Sequence, residues 1–305
     1  MKFGTQVNSF GADWEAISAY IGALEGGRWN SLYIADHFLP PIGDRGEHNN
    51  AFEAFTLLSV AAGMTRRVEL GTLVLGNTYR NPALVAKMAA TLDQASRGRV
   101  VLGIGAAWFE REHAAYGWDF PAMRERSDRL EEACRLIRML FTAQEPVDFQ
   151  GSYYRLQQAP LAPGCFRTPH IPIMVGGVGE RRTLRTLARY GDVFNLNGWT
   201  IEMSLPEYRR KAEVIERHCA AVGRDPGEIR HTIHMPLRLA EAGDRPPGGG
   251  SEWKLGPGLT PAPASFLVDR IGELERAGVD EIIFQPLPDA AYLQRVEDEI
   301  VAAFA

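Results

Sequence analysis

The amino-acid sequence predicts a (β/α)8 TIM barrel with insertions, and three observations carry that prediction. Short apolar strands alternate with longer amphipathic helices along the chain. The strands are near-continuous apolar runs, as expected of a parallel sheet covered on both faces. The alternation amounts to eight units, which suits a closed barrel better than an open doubly wound sheet. With 305 residues, 45% of them hydrophobic, the chain has material for one such core. The expected organisation is one domain over 1–305, with insertions near 144–171 and 241–263.

The elements follow in order. FGTQV, from Phe3, is the first strand, and Asp13 to Gly26 a helix. SLYIA, from Ser31, is the second strand and ends at Asp36-His37; Phe52 to Gly63 is the next helix. VELGTLVLG, from Val68, is a buried third strand. The helix Pro82 to Ala95 carries proline in its first turn, where the missing N–H costs nothing. RVVLGIG, from Arg99, is the fourth strand. Met123 to Phe141 is a long helix with Leu130, Cys134, Ile137 and Leu140 on one face.

A proline-rich stretch, Pro146 to Pro172, contains FQGSYYRL, which reads as a small hairpin. IPIMVGG is the fifth strand, Thr183 to Tyr190 lies in a helix, and DVFNLN is the sixth strand. Leu205 to Val222 is a helix stopped by Gly223. IRHTIHMPLRL, from Ile229, is the seventh strand. Glu241 to Pro263 holds six glycines and five prolines and reads as a mobile loop. A helix (Ser265 to Ala277), the eighth strand EIIFQ and a terminal helix (Ala290 to Phe304) close the chain.

Composition excludes several functions. The net charge is −5 with acids and bases mixed, so no concentrated positive face is available for nucleic acid. The opening MKFGTQVNSF lacks a basic stretch followed by an apolar run, and no segment approaches the roughly 18 apolar residues of a membrane span. A soluble, cytoplasmic protein is expected. Cys134, Cys165 and Cys219 are far apart and form no CxxC, as reduced thiols would be. His231 and His234 stand three apart on a strand and so point to opposite faces. Glu112 and His113 are adjacent and there is no HExxH, so no metal site is expected. No GxSxG elbow is present. LGIGAAW and VGGVGE pair glycines without spelling GxGxxG, which argues against a nicotinamide Rossmann site.

In such a barrel the loops after the strands gather on one face, where active sites sit. Two constellations stand out there. In VGGVGERRTLRTLA a strand runs into Gly176, Gly177, Val178, Gly179 and Glu180 and then into a helix. Free backbone N–H groups, the helix dipole and close approach at glycine suit an anionic tail, with Arg181 and Arg182 adding charge. The alternative is a plain tight turn. Asp36-His37 is the second constellation. Histidine there can give or take a proton, and Asp36 either orients a ring nitrogen or caps the loop. The alternative is a hydrogen-bonded structural pair. Trp108, Phe109, Tyr116 and Trp118 form an aromatic cluster, either a lid over the rim or a wall for a flat ring.

Several stretches together resemble the bacterial luciferase-like monooxygenase superfamily. They are SLYIADHF, the run from VELGTLVLGNTYRNPALVAKMAATLDQASRGR to VVLGIGAAWFEREHAAYG, RERSDRLEEACRLIRMLF, IPIMVGGVGERRTLRTLARYGDVFNL, HCAAVGRDPGEI and SFLVDRIGELERAGVDEIIFQ. Within it the chain is most similar to the branch dependent on coenzyme F420, an 8-hydroxy-5-deazaflavin. The resemblance implies a homodimer and a deazaflavin whose ring lies in the barrel mouth and whose tail reaches Gly176 and Gly177. It implies that His37 is the base at the substrate, beside Asp36. It places Leu73-Val74 at a bulge with a non-proline cis peptide against the ring. Ala106, Ala107 and Trp108 match a ring-contacting segment, with Asn197 near the tail. The sugar-phosphate dehydrogenases of the superfamily carry a proton-donating glutamate where this chain has Trp108, which disfavours that substrate.

The resemblance thus implies hydride transfer between a deazaflavin and a small organic substrate, the protein orienting both and His37 exchanging the proton. The Glu241 to Pro263 loop is expected to exclude water on closing. The alternative is an FMN-dependent monooxygenase supplied with reduced flavin by a partner reductase. A non-catalytic flavin carrier is a third reading, weakened by the retention of all eight units and of His37.

Overall fold

The computed structural model describes residues 1–7, 9–41, 50–198, 204–236, 238–241, 261–286 and 289–305. Its strands are β1 (Lys2–Val7), β2 (Ser31–Ile34), β3 (Glu69–Thr72), β4 (Leu75–Gly76), β5 (Val100–Gly105), β6 (Val147–Gln150), β7 (Arg155–Ala159), β8 (Ile173–Gly176), β9 (Val193–Asn197), β10 (Arg230–Pro236) and β11 (Glu281–Gln285). β6 and β7 form an antiparallel hairpin outside the ring. All the others are parallel, and β3 pairs with β5 to close the ring that β1 and β11 join at Gly4↔Ile283. With β4 continuing β3, that is a closed barrel of eight strands, as the alternation predicts.

The barrel closes because each strand offers two apolar faces. Outward residues such as Leu32, Leu70, Leu102, Ile173, Phe194, Ile233 and Phe284 are buried in one large core shared with the surrounding helices. Inward residues Tyr33, Val101, Met174, Val193 and Ile283 form a separate buried cluster that fills the barrel's middle. Below it, at the strand starts, lies a buried polar floor. Arg230 meets Glu69 at 2.7 Å, and the Ser31 hydroxyl donates to the fully buried Glu281. The candidate site residues gather at the opposite, upper end, where the strands finish.

The helices are α1 (Trp14–Gly26), α2 (Ala54–Met64), α3 (Pro82–Ser96), α4 (Glu110–Tyr116), α5 (Met123–Thr142), α6 (Thr183–Tyr190), α7 (Leu205–Val222), α8 (Ala264–Arg276) and α9 (Ala290–Glu299). Caps set their starts: Asp13, Glu53 and Asn81 each accept amides of the first turn of α1, α2 and α3. Gly223, at φ 69°, ends α7 as expected. The predicted face of α5 is buried at Leu130, Cys134, Ile137 and Leu140. None of the described helices is long and apolar enough to cross a membrane.

The third strand is interrupted between β3 and β4 at Leu73-Val74, the non-proline cis peptide that the resemblance implies. Two features differ from the sequence reading. The aromatic cluster after the fourth barrel strand contains the helix α4, too short for a periodic pattern to be legible. The terminal helix stops at Glu299 and continues as a 3-10 turn, Val301–Phe304. Most of the predicted loop, 242–260, lies outside the described residues. Its two ends are joined: Ala240 N–H donates to Ala262 O at 2.9 Å, and Ala262 N–H to Arg238 O at 3.0 Å.

Candidate active site at the barrel mouth

Asp36 and His37 follow β2 directly, so the parallel ring carries both to the mouth. They part company there. Asp36 is buried and turns sideways, accepting both guanidinium arms of Arg80 at 2.8 and 2.9 Å and the Gly76 N–H at 3.0 Å. Burial pushes its carboxyl above the usual range, against the pull of Arg80 and the Gly76 amide. Arg80 also pairs with Glu53, the cap of α2. Asp36 thus ties β2 to the β4 end and to α2. It does not orient the His37 ring, which corrects one of its two expected roles.

The carboxylate that does meet His37 is Glu112, from α4. Its Oε1 lies 3.0 Å from His37 Nδ1, and its Oε2 accepts the Phe38 N–H at 2.9 Å. The Tyr79 hydroxyl donates to the same Oε1. The side chain of Glu112 is fully buried. Burial alone would raise the Glu112 carboxyl, yet His37, Tyr79 and the Phe38 amide together hold it below the ordinary range. The His37 ring is set among the edges of Phe10, Trp108 and Phe109, with centroids at 5.9, 5.4 and 6.0 Å. Its Nε2 has no hydrogen-bond partner among the described residues. The next residue, His113, faces elsewhere: its Nε2 meets Thr78 Oγ1 at 2.7 Å and its Nδ1 the Phe109 carbonyl.

The aromatic cluster divides in two. Phe38, Tyr79, Tyr116 and Trp118 pack on one another, with Tyr116 and Trp118 stacked at 5.0 Å. Trp108 instead stands 59% exposed on the rim beside His37. The chain reaches it through Ala107, at φ 60° in the left-handed region.

Leu73 and Val74 pack on the barrel's inner cluster, at the cis peptide. Val74 is enclosed by glycines of the neighbouring strands. A Cβ at Gly176 would lie 2.4 Å from Val74 Cγ2, and one at Gly105 2.9 Å from it. The bulge and the glycine turn are therefore one fitted unit, closed to any larger side chain. Above it, Gly177 adopts φ 111°, which side-chain-bearing residues rarely accept. The amides of Val178, Gly179, Glu180 and Arg181 have no acceptor among the described residues. Arg181 is exposed and has no ionic partner among the described residues. Arg182, expected to add charge, is held instead by Asp128 and the Arg124 carbonyl. The Glu180 carboxylate is taken by Arg210 and by Lys211 at 3.0 Å. Lys211 Nζ also donates to the Val178 carbonyl at 3.0 Å. Asn197 ends β9, opposite His234 of β10.

His234 and His231 do point to opposite faces. The His231 Nδ1 is 2.9 Å from the Tyr208 hydroxyl on α7, outside the barrel. His234 is buried inside, its Nε2 without a partner among the described residues, and burial pushes it down to about 3.

Sequence reasoning missed Glu112, Tyr79, Arg80 and Lys211. Arg80 and Tyr79 had a signal: they lie in the loop that follows a barrel strand, where polar residues gather at the mouth. Lys211 had one too, lying four residues after Glu207 on a helix face. Glu112 had little, since its helix was not legible.

The geometry is that of a barrel mouth with a carboxylate-bound histidine, exposed aromatic side chains and an amide-lined turn. Among known proteins, the chain is 35% identical over 202 residues to the F420-dependent glucose-6-phosphate dehydrogenase of Amycolatopsis mediterranei, covering 64% of this chain and 58% of that one. It is 39% identical over 232 residues to the enzyme of the same name from Intrasporangium calvum, covering 69% and 67%. The chain thus spans about three-fifths of the length of the Amycolatopsis relative. A solved F420-dependent secondary alcohol dehydrogenase, in complex with an F420–acetone adduct, superposes with a TM-score of 0.81 at 20% identity, over 100% of this chain and 99% of that one. At that identity the likeness speaks for the fold. The profile of the luciferase-like monooxygenases matches residues 3–244, from the first strand through the seventh. On that match, the chain belongs to the luciferase-like monooxygenase family.

Proposed function

We propose that the protein is an oxidoreductase dependent on coenzyme F420 that moves hydride to or from a small organic substrate. The observation that carries this reading is the shared dependence on F420 named for its relatives at 34–39% identity. The mouth suits such a group. The turn from Gly176 to Arg181 offers unclaimed amides and close backbone approach for an anionic tail, with Arg181 beside it. Leu73, Val74, Ala106, Ala107 and Trp108 would line the ring, and Asn197 the passage to the tail. When bound, the deazaflavin supplies a carbon that carries hydride and reacts poorly with oxygen.

The protein's part is orientation and proton exchange. His37 Nε2 takes a proton from an alcohol or gives one to the reduced product. Trp108 cannot protonate anything, and Glu112 is committed to His37, Tyr79 and the Phe38 amide. Trp108 thus stands where the sugar-phosphate dehydrogenases carry their proton-donating glutamate, and a simpler carbonyl, imine or activated double bond is the acceptor we assign. By likeness, the protein acts as a homodimer in the cytoplasm; sedimentation velocity reads the first.

Titration with F420 and with FMN, then anaerobic reduction, tests the cofactor. Binding of F420 with turnover insensitive to oxygen is expected. Binding of FMN alone, with oxygen consumed once the flavin is reduced, would overturn the reading in favour of a monooxygenase fed by a reductase. His37→Ala should retain F420 binding and lose about 10²–10⁴-fold in kcat. Full kcat in that variant across pH would remove His37 from the mechanism.

A further inference from the structure

We infer that Glu112 is the positioning residue of His37, fixing which ring nitrogen carries the proton and so which one faces the mouth as a base. The inference deepens the proposed function, since it rests on His37 being the proton partner there.

The argument is one of donors and acceptors. Glu112 is fully buried, and the donors around it hold its carboxyl below the ordinary range, so at neutral pH it is a carboxylate, which only accepts. Two of its donors, the Phe38 amide and the Tyr79 hydroxyl, come from elsewhere in the mouth. The third contact, His37 Nδ1 at 3.0 Å, must then be an N–H. A neutral imidazole carries one proton. With it fixed on Nδ1, the lone pair sits on Nε2, the nitrogen that no described residue engages. The same carboxylate stabilises the imidazolium that forms when Nε2 takes a proton. Asp36, although adjacent in sequence, is occupied by Arg80 and cannot do this.

The contact is also braced by its surroundings. Glu112 lies on α4, which Gly117 stops at φ 72°. His113 on the same helix is anchored by Thr78, and Tyr79 follows at the end of β4. Glu112 therefore reaches His37 from a helix pinned to the third barrel strand.

The test uses Glu112→Gln. The Phe38 amide can only donate, so the single oxygen of glutamine stays on it. That turns the –NH₂ group toward His37 Nδ1, which must then accept. The proton moves to Nε2, and the base facing the mouth is lost. A purely structural glutamate would not produce this inversion.

The readout is the long-range ¹H–¹⁵N spectrum of the histidine side chains in the uniformly ¹⁵N-labelled full chain, without cofactor, assigned by comparison with His37→Gln. The Nδ1–H tautomer is expected for His37 in the unmodified protein and the Nε2–H tautomer in Glu112→Gln. With F420 and a substrate, kcat in the variant should fall about 10²–10⁴-fold while KM changes little. An Nε2–H tautomer in the unmodified protein overturns the inference without any variant, so a Glu112→Gln chain that failed to fold would leave it testable. An unchanged tautomer in Glu112→Gln overturns it as well. Inversion of the tautomer in a protein that never turns over F420 would support the positioning role and sink the proposed function, so the two fail separately.

Discussion

At the scale of single residues, the mouth depends on places where a side chain is missing. Gly176 is the clearest, because a methyl group there would lie 2.4 Å from Val74 Cγ2, far inside contact distance. Gly176→Ala should therefore move the Leu73-Val74 bulge or the turn above it. A cost of roughly 1–3 kcal/mol is expected from such overpacking, read as a lower denaturation midpoint. The same variant should bind F420 at least tenfold more weakly, read by fluorescence titration. Unchanged stability and affinity would mean that the bulge and the turn are not coupled. The importance of this glycine was legible in the chain, since a strand running into paired glycines and then a helix announces close backbone approach. The partner of His37 was not. The neighbouring carboxylate, Asp36, was the obvious candidate, and only the fold reveals that Arg80 claims it and that Glu112, 75 residues away, takes its place.

At the scale of elements, alternation and caps made nearly every strand and helix of the barrel readable. The exceptions are the elements whose cause is tertiary. α4 has seven residues and no side-chain cap, and it exists because its buried residues Glu112 and His113 are hydrogen-bonded across the mouth. The split between β3 and β4 leaves no break in the apolar run VELGTLVLG, so hydropathy cannot locate it. The hairpin β6–β7 was readable as a hairpin, but not how it is held. Glu132 of α5 accepts three successive amides at its tip, from Ser152, Tyr153 and Tyr154, at 2.8, 2.9 and 2.7 Å. Glu132→Ala should free all three. Faster hydrogen exchange at residues 152–154 is expected, with barrel amides unaffected and a loss of roughly 1–2 kcal/mol. Equal exchange in both proteins would show that the hairpin stands on its own packing.

At the scale of the whole molecule, the buried charges give stability a particular dependence on pH. His234 is neutral inside the barrel, pushed by burial down to about 3. In the unfolded chain it protonates near its ordinary value of about 6.5. Between those values the unfolded state binds the extra proton, so stability falls as pH falls. The loss from this residue should reach roughly 2 kcal/mol by pH 5. Glu69 and Glu112 are shifted the opposite way from a buried carboxyl, downward, because their donors outweigh burial. Their contribution is present above about 4.5 and is lost only at more acid pH, which separates the two windows. Denaturant unfolding at pH 7 and pH 5 should show the first loss in the natural chain and a smaller one in His234→Gln. Identical pH slopes in the two proteins would refute the assignment.

The polar floor of Glu69, Arg230, Ser31 and Glu281, with the cluster of Tyr33, Val101, Met174, Val193 and Ile283 above it, makes the barrel a cup and not a tube. On the proposed reading, a cofactor seated on the bulge and a substrate above it would share one doorway for arrival and departure. The last to enter would then be the first to leave, a sequence imposed by the shape of the vessel.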